Sequence, residues 1–253
     1  MNRRIALVTG AGRRKGLGAA ICRELAQDGV DIYFTWWSPY DRDIHTSDER
    51  EPLLLRDELR KTGVRVECGE WNLADPGAPA ALMDEVRRTM GGPSILVNNA
   101  CHSVPDRLDA LTPELIDVNL AVNVRAPMLL CSEFFRRFDG EHGRIINIVS
   151  GSSLGPMPGE IVYAATKGTM ELFTRHAFVE AGEKGITINA VNPGPTDTGW
   201  ISPELADWLR EKFALGRIGL PEDAAKLVRF LASPEAGWIT GQVIHSEGGF
   251  TRR

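Results

Sequence analysis

The chain has 253 residues, 43% of them hydrophobic and 25% charged, with a formal net charge of −5 and a pI near 5.6. That composition is ordinary for a globular protein, and the mild acidic balance argues against a general electrostatic grip on nucleic acid. Four scattered cysteines without CxxC or metal-ligand spacing, a first apolar run too short for a secretory signal, and no stretch approaching ~18 apolar residues point to a cytoplasmic chain without metal or membrane span.

Strands are predicted over 4–9, 30–36, 64–68, 95–97, 144–149, 187–191 and 242–246. Most are apolar throughout, as strands buried on both faces of a parallel sheet are. Helical periodicity fills 17–27, 52–62, 78–90, 113–138, 161–183 and 222–231. In the first of these, Leu17, Ile21, Cys22 and Leu25 share one stripe. The alternation predicts one Rossmann-type, doubly wound α/β domain over 1–253, with about seven parallel strands flanked by helices. Segment 38–51, polar and charged, and segment 193–216, rich in Pro, Gly and aromatic residues, read as loops.

The first strand ends at Thr9-Gly10, and Gly10-Ala11-Gly12-Arg13-Arg14-Lys15-Gly16-Leu17-Gly18 leads into the first helix. Glycine permits a tight turn and close backbone approach. A helix N-terminus behind it offers free N–H groups to a pyrophosphate. A plain β–α turn would show the same spacing. Arg13, Arg14 and Lys15 are either a solvated loop or extra phosphate partners. A site selecting NAD places an acid at the tip of the second strand. Here the tip reads Phe34-Thr35-Trp36-Trp37-Ser38, with Asp31 at the strand's start and Asp41 out in the loop. Missing acid and nearby cations favour NADP(H) over NAD(H).

Tyr163 and Lys167 are four apart, on one helix face. An ammonium beside a phenol favours the phenolate and lowers a pKa otherwise near ~10. The product is a general acid/base suited to carbonyl/alcohol interconversion. Taken alone, the pair is also what a surface helix shows.

Context decides between these readings. Thr9-Gly10 with the glycine turn, Asn98-Asn99-Ala100, Asn123, Ser150, Tyr163/Lys167, Pro193-Gly194, segment 216–223, Gly241-Gln242 and Gly248-Gly249 follow in order along the whole chain. In this the sequence resembles the short-chain dehydrogenase/reductase family, and within it 3-oxoacyl-[acyl-carrier-protein] reductase-like members. The resemblance implies that Tyr163 exchanges the substrate proton, Lys167 tunes it and binds the nicotinamide ribose, and Ser150 polarises the carbonyl. Asn123 would hold a water in a relay ending at Lys167. Gly10, Gly12, Arg13, Arg14, Lys15, Gly16, Leu17, Gly18, Thr35, Asn72, Leu73, Asn98, Asn99, Ala100, Pro193, Gly194, Thr196 and Thr198 would line the cofactor groove with Tyr163 and Lys167. Ser152, Met157 and Trp200, with His102 and Pro156, would face a small-molecule carbonyl or alcohol, under a lid over 198–216. A homo-oligomer, tetramer or dimer, is implied, and the apolar run 128–135 and the strand at Val243 and Ile244 are consistent with one.

Three departures stand out. Two extra residues separate Gly10 from Gly16, Asn72 stands where an adenine-binding Asp is usual, and Cys101 replaces the last glycine of Asn-Asn-Ala-Gly. Cys101 reads as packing or as a reactive thiol. The long segment 38–51 is expected to cover the adenosine 2′-phosphate. The expected function is NADPH-dependent reduction of a 3-oxoacyl group or related ketone. The alternatives are an NAD-dependent alcohol dehydrogenase and a non-catalytic dinucleotide sensor. An enoyl reductase of this fold would want Tyr-x6-Lys, and a sugar epimerase a longer C-terminal region.

Overall fold

Successive residues of the first strand face opposite ways. Ala6 and Val8 pack in one apolar cluster, Ile5 and Leu7 in another, and all four are buried. A strand apolar on both faces needs cover on both, which makes it interior to a sheet. The computed structural model, which describes residues 3–45 and 48–252, has that arrangement. Strands β1 (Ile5–Val8), β2 (Asp31–Trp36), β3 (Val66–Glu70), β4 (Ile95–Asn98), β5 (Gly143–Ile148), β6 (Ile186–Asn192) and β7 (Val243–His245) form one parallel sheet. Their order is β3-β2-β1-β4-β5-β6-β7.

Helices cover both faces. On one lie α1 (Leu17–Gln27), α3 (Glu51–Arg60) and α9 (Pro221–Ala232), whose Ile21, Leu25, Leu55, Leu59, Val228 and Leu231 pack on Val8, Ile32, Phe34 and Val97. On the other lie α4 (Ala78–Thr89), α6 (Ala126–Arg137) and α7 (Ile161–Gly182), packed over Leu7, Leu96, Ile145 and Ile188. The chain lays down β1, β2 and β3 outward in one direction, then returns to place β4 on the other side of β1. Connections diverge there, and a crevice opens between the tips of β1 and β4.

Three segments differ from expectation. Segment 38–51 is not a loop: α2 (Ser38–His45) fills most of it and α3 begins at Glu51, while residues 46–47 lie outside the described residues. Pro39 and Asp41 in the first turn suit a helix start, but so polar a segment carries no apolar stripe to announce it. The helix expected over 113–138 is broken into α5 (Pro113–Leu120) and α6 by a π-helical turn, Ala121–Arg125. The run Pro113–Arg137 is long and apolar enough to cross a membrane by length and composition, with an 18-residue stretch of mean hydropathy 1.3. Here it lies on the sheet, packed against α4 and α7, with Asn119 and Asn123 buried. Segment 193–216 contains α8 (Pro203–Arg210), capped by the Ser202 hydroxyl.

Thr9 ties the tips of β1 and β4. Its buried hydroxyl accepts the backbone N–H groups of Asn99 and Ala100, both at 3.1 Å. The Asn99 amide in turn donates to the carbonyls of Thr9 at 2.9 Å and Gly10 at 2.8 Å. Replacing Thr9 by Val keeps the shape and strands both N–H groups, each costing about 1–3 kcal/mol. Thr9→Val is expected to lower the unfolding free energy by about 2–4 kcal/mol, read from the urea midpoint.

Candidate active site

The glycine turn begins where β1 ends. Gly10 has φ +73°, and a Cβ there would stand 2.6 Å from the Ala100 Cα, so only glycine fits beside the β4 tip. Its N–H donates to the Thr35 hydroxyl at 3.3 Å, and that of Ala11 to the Thr35 carbonyl at 2.7 Å. Helix α1 starts after Gly16 with no side-chain cap and no acid in its first turn. A Cβ on Gly18 would meet the Gly10 carbonyl at 2.5 Å, so the helix packs hard against the turn. The result is an open, positively polarised helix end behind a glycine turn.

The basic cluster is split. Arg14 turns away: its guanidinium pairs with Glu58 at 2.9 Å and its N–H with the Glu51 carboxylate, so it is not the phosphate partner expected. Two acids on α3 reach it, and Arg23 shares Glu58. Lys15 is exposed, without an ion pair among the described residues. Arg13 donates to the Thr198 carbonyl at 3.0 Å and lies 3.8 Å from Asp41. Asp41 is therefore not out in a loop. It sits against Gly12, in the space a Cβ would need, and burial lifts its carboxyl to about 6 against the pull of Arg13.

At the other end, α7 presents Tyr163 and Lys167. The Lys167 ammonium is buried, donates to the Ile148 carbonyl at 2.8 Å and lies 5.5 Å from the Tyr163 ring centre. Burial pushes its pKa down. Burial also holds the Tyr163 phenol well above its ordinary range, and the charges of Cys101, Glu160 and Tyr40 push the same way. The phenol thus moves up, where the pairing with lysine read from sequence has it moving down. Ser150, at the end of β5, faces the Met157 sulfur at 3.7 Å.

Asn123 belongs to the π-helical turn, a feature that recurs at functional sites. Its amide is engaged at both ends: Oδ1 accepts from the His102 N–H at 2.7 Å, and Nδ2 donates to the His102 carbonyl and the Thr166 hydroxyl. Both Nδ2 protons are thus engaged within the protein, while Oδ1, accepting one bond, keeps a second lone pair. The amide pins the loop after β4 to α7, where Thr166 donates to the Tyr163 carbonyl at 2.7 Å.

Other expected residues divide. Leu73 is buried in the core, and Asn72 turns its oxygen to the Ala74 N–H. Asn98 points into the sheet, bonding Asn147 at 2.8 Å, and does not line the groove. Gly194 packs on Glu247 after Pro193, and the Thr196 carbonyl accepts from the Trp200 indole at 2.9 Å. The Ser152 hydroxyl lies under Gly168, on a cavity of about 470 Å³ lined also by Ala164, Glu171 and Arg175. That stripe of α7 is not the one carrying Tyr163 and Lys167, so Ser152 does not face the substrate side.

Two contributors escaped the sequence reading. Asp106, on the loop after β4, accepts the first-turn N–H groups of α7 from Ile161 at 2.6 Å and Val162 at 2.8 Å. Arg252, near the C-terminus, packs over Gly151 and Gly155 beside Ser150 and lies 3.6 Å from Glu247. Neither carries a local sequence signal, since each acts over a long separation.

A family model described as Enoyl-(Acyl carrier protein) reductase matches residues 10–251. An "Uncharacterized oxidoreductase YjdA" of Bacillus subtilis is 48% identical over 252 residues, covering 98% of this chain and 97% of its own. A short-chain dehydrogenase/reductase from Serratia marcescens superposes with a TM-score of 0.88 at 32% identity, over 98% of this chain and 97% of that one. The chain belongs to the short-chain dehydrogenase/reductase family. As a member it is an NAD(P)(H)-binding oxidoreductase acting on a CH–OH/carbonyl pair. Other similar short-chain dehydrogenases/reductases include the 3-oxoacyl-[acyl-carrier-protein] reductase FabG of Aquifex aeolicus, 34% identical over 252 residues, 97% of this chain and 96% of its own. A blue fluorescent protein from a metagenomic library, solved with NADPH, superposes with a TM-score of 0.87 at 33% identity, over 99% of this chain and 98% of that one. The crevice fits a dinucleotide by its own chemistry: an uncapped helix end, a turn closed by glycines, and Lys15 at its rim.

The cap on α7 comes from a residue 55 positions away. Asp106→Ala is expected to cost about 1–3 kcal/mol of stability, and Asp106→Asn less, because an amide oxygen still accepts. Thermal unfolding of the two variants checks the order.

Proposed function

We propose that this enzyme reduces a small-molecule carbonyl, a 3-oxoacyl group or related ketone, to the alcohol with NADPH. The observation that carries the reading is the Tyr163 ring with the buried Lys167 ammonium 5.5 Å from its centre, at the C-terminal end of a doubly wound sheet. Tyr163 donates its proton to the carbonyl oxygen as charge develops there. Ser150 donates a second hydrogen bond to that oxygen, which is where electrostatic stabilisation counts most. Lys167 fixes the polarity around the phenol, and Asn123 positions the loop after β4. The dinucleotide, when bound, supplies the hydride.

Gly12, Gly16, Leu17 and Gly18 would hold the pyrophosphate, Thr35, Asn72 and Leu73 the adenosine side, and Asn99, Ala100, Pro193, Gly194, Thr196 and Thr198 the nicotinamide side. NADPH over NADH is supported by two cations at the turn, the exposed Lys15 and Arg13, the latter lying against Asp41. Met157, against Ser150, and Trp200 would face substrate, with 198–216 as lid. The reading places one domain in the cytoplasm as a homo-oligomer. Exposed Leu120 and Leu129 on the 113–137 run, exposed Leu172 and Val179 on α7, and a buried, unpartnered Glu171 oxygen support assembly.

The direct test is oxidation of NADPH and NADH side by side over 3-oxoacyl esters, diketones and quinones. Tyr163→Phe is expected to lower turnover by about 10²–10⁴-fold; turnover unchanged by that substitution rejects the assignment. A second test needs no substrate. Burial raises the pKa of Tyr33, Tyr40 and Tyr163, the three tyrosines of the chain. At pH ~10, where a free tyrosine is half ionised, the native protein is expected to show little tyrosinate absorbance. The unfolded chain should show about half of the maximum.

A further inference from the structure

Two side chains bridge the crevice between the β1 and β4 tips, and a third covers the glycine turn at its edge. One bank consists of the glycine turn after β1 and helix α2 after β2. The other consists of the loop after β4, at Ser103, and the segment after β6, at Thr198. Arg13 reaches from the first bank to the Thr198 carbonyl at 3.0 Å. The Tyr40 hydroxyl donates to the Ser103 carbonyl at 3.1 Å and accepts from its N–H at 3.2 Å. The Tyr40 ring lies 5.2 Å from that of His102. Asp41, the next residue, presses its carboxylate on the face of Gly12 and stands 3.8 Å from the Arg13 guanidinium.

A dinucleotide lying along the C-terminal ends of the strands passes through the line of each bridge. Its pyrophosphate needs the bare backbone of the turn. Asp41 covers that backbone at Gly12, with no gap left between carboxylate and glycine. Helix α2 and a bound dinucleotide therefore compete for the same space, and an anionic side chain holds the arginine that an anionic ligand would use.

We propose that α2 is a latch: in the free protein Tyr40 ties the crevice shut and Asp41 covers the glycine turn, and NADP(H) enters by displacing them, its phosphates taking Arg13 from Asp41. The latch sets cofactor affinity from outside the cofactor contacts themselves. It rests on the reading of this crevice as the NADPH site.

The test is titration of NADPH and NADH into the wild type, Tyr40→Phe and Asp41→Asn. Binding is followed by nicotinamide fluorescence and by the fluorescence of Trp36 and Trp37, which lead into α2. Hydrogen exchange of the α2 amides is measured without ligand. Each substitution weakens one contact of the latch, that of Tyr40 across the crevice or that of Asp41 on the turn, and leaves the residues of the glycine turn unchanged. Each is expected to tighten NADPH binding about 3- to 10-fold, the worth of a side-chain hydrogen bond or two, and to speed α2 exchange in the free protein. Weaker binding in either variant would mean that these side chains hold the cofactor, and overturns the latch. Unchanged affinity with unchanged exchange overturns it as well. Preference of the wild type for NADH would reject the cofactor reading alone, since the sign of the variant effects on NADH still decides the latch. Binding of neither dinucleotide to any of the three proteins rejects both.

Discussion

The site depends on how the tips of β1 and β4 are joined. A doubly wound sheet opens a crevice where its connections diverge, and an unjoined crevice has no fixed width. Here the Thr9 hydroxyl accepts two N–H groups from the far bank, and the Asn99 amide returns two bonds to the near one. Gly10 lets the banks close to backbone contact, because any Cβ there would run into Ala100. Turn, helix end and the loop carrying Cys101 and His102 are thereby one rigid piece. The Asn123 amide then links that piece to α7, so Tyr163 is tied to the loop after β4 through a chain of hydrogen bonds.

Burial sets the protonation states within this frame. A tyrosine beside a lysine suggests phenolate from charge alone. Desolvation opposes charge on both partners, raising the phenol and lowering the ammonium. With Ile148 accepting from Lys167, the ammonium is held by a carbonyl dipole while the ring keeps its proton.

The sheet was legible because its strands are apolar on both faces, and a parallel sheet is the arrangement that buries both. The glycine turn, Ser150, Tyr163 and Lys167 were legible because each sits at a fixed offset from a strand end or along one helix. Residues acting across the fold were not. Asp106 caps a helix 55 residues on, and Arg252 reaches Gly151 from near the other end of the chain, with no local pattern to mark either. Arg14 read as a phosphate ligand because Glu58 is far off in sequence, although it is adjacent in space. The π-helical turn was invisible for another reason: apolar periodicity continues through it while the hydrogen bonding changes.

Segment 38–51 shows most sharply how sequence position misleads. Asp41 lies five residues beyond the strand tip where a ribose-binding acid is sought, and by that measure the site has none. Helix α2 folds back and returns the acid to the turn, beside Arg13. Charge counted along the chain favoured a phosphate; charge counted in space gives a cation already matched by a carboxylate. A matched pair at a ligand site is not neutral in effect. It lowers affinity for any anion too weak to break it, and leaves a cation ready for one that can. Sequence distance therefore misjudged both the acid and the arginine, because α2 brings the two together beside the turn.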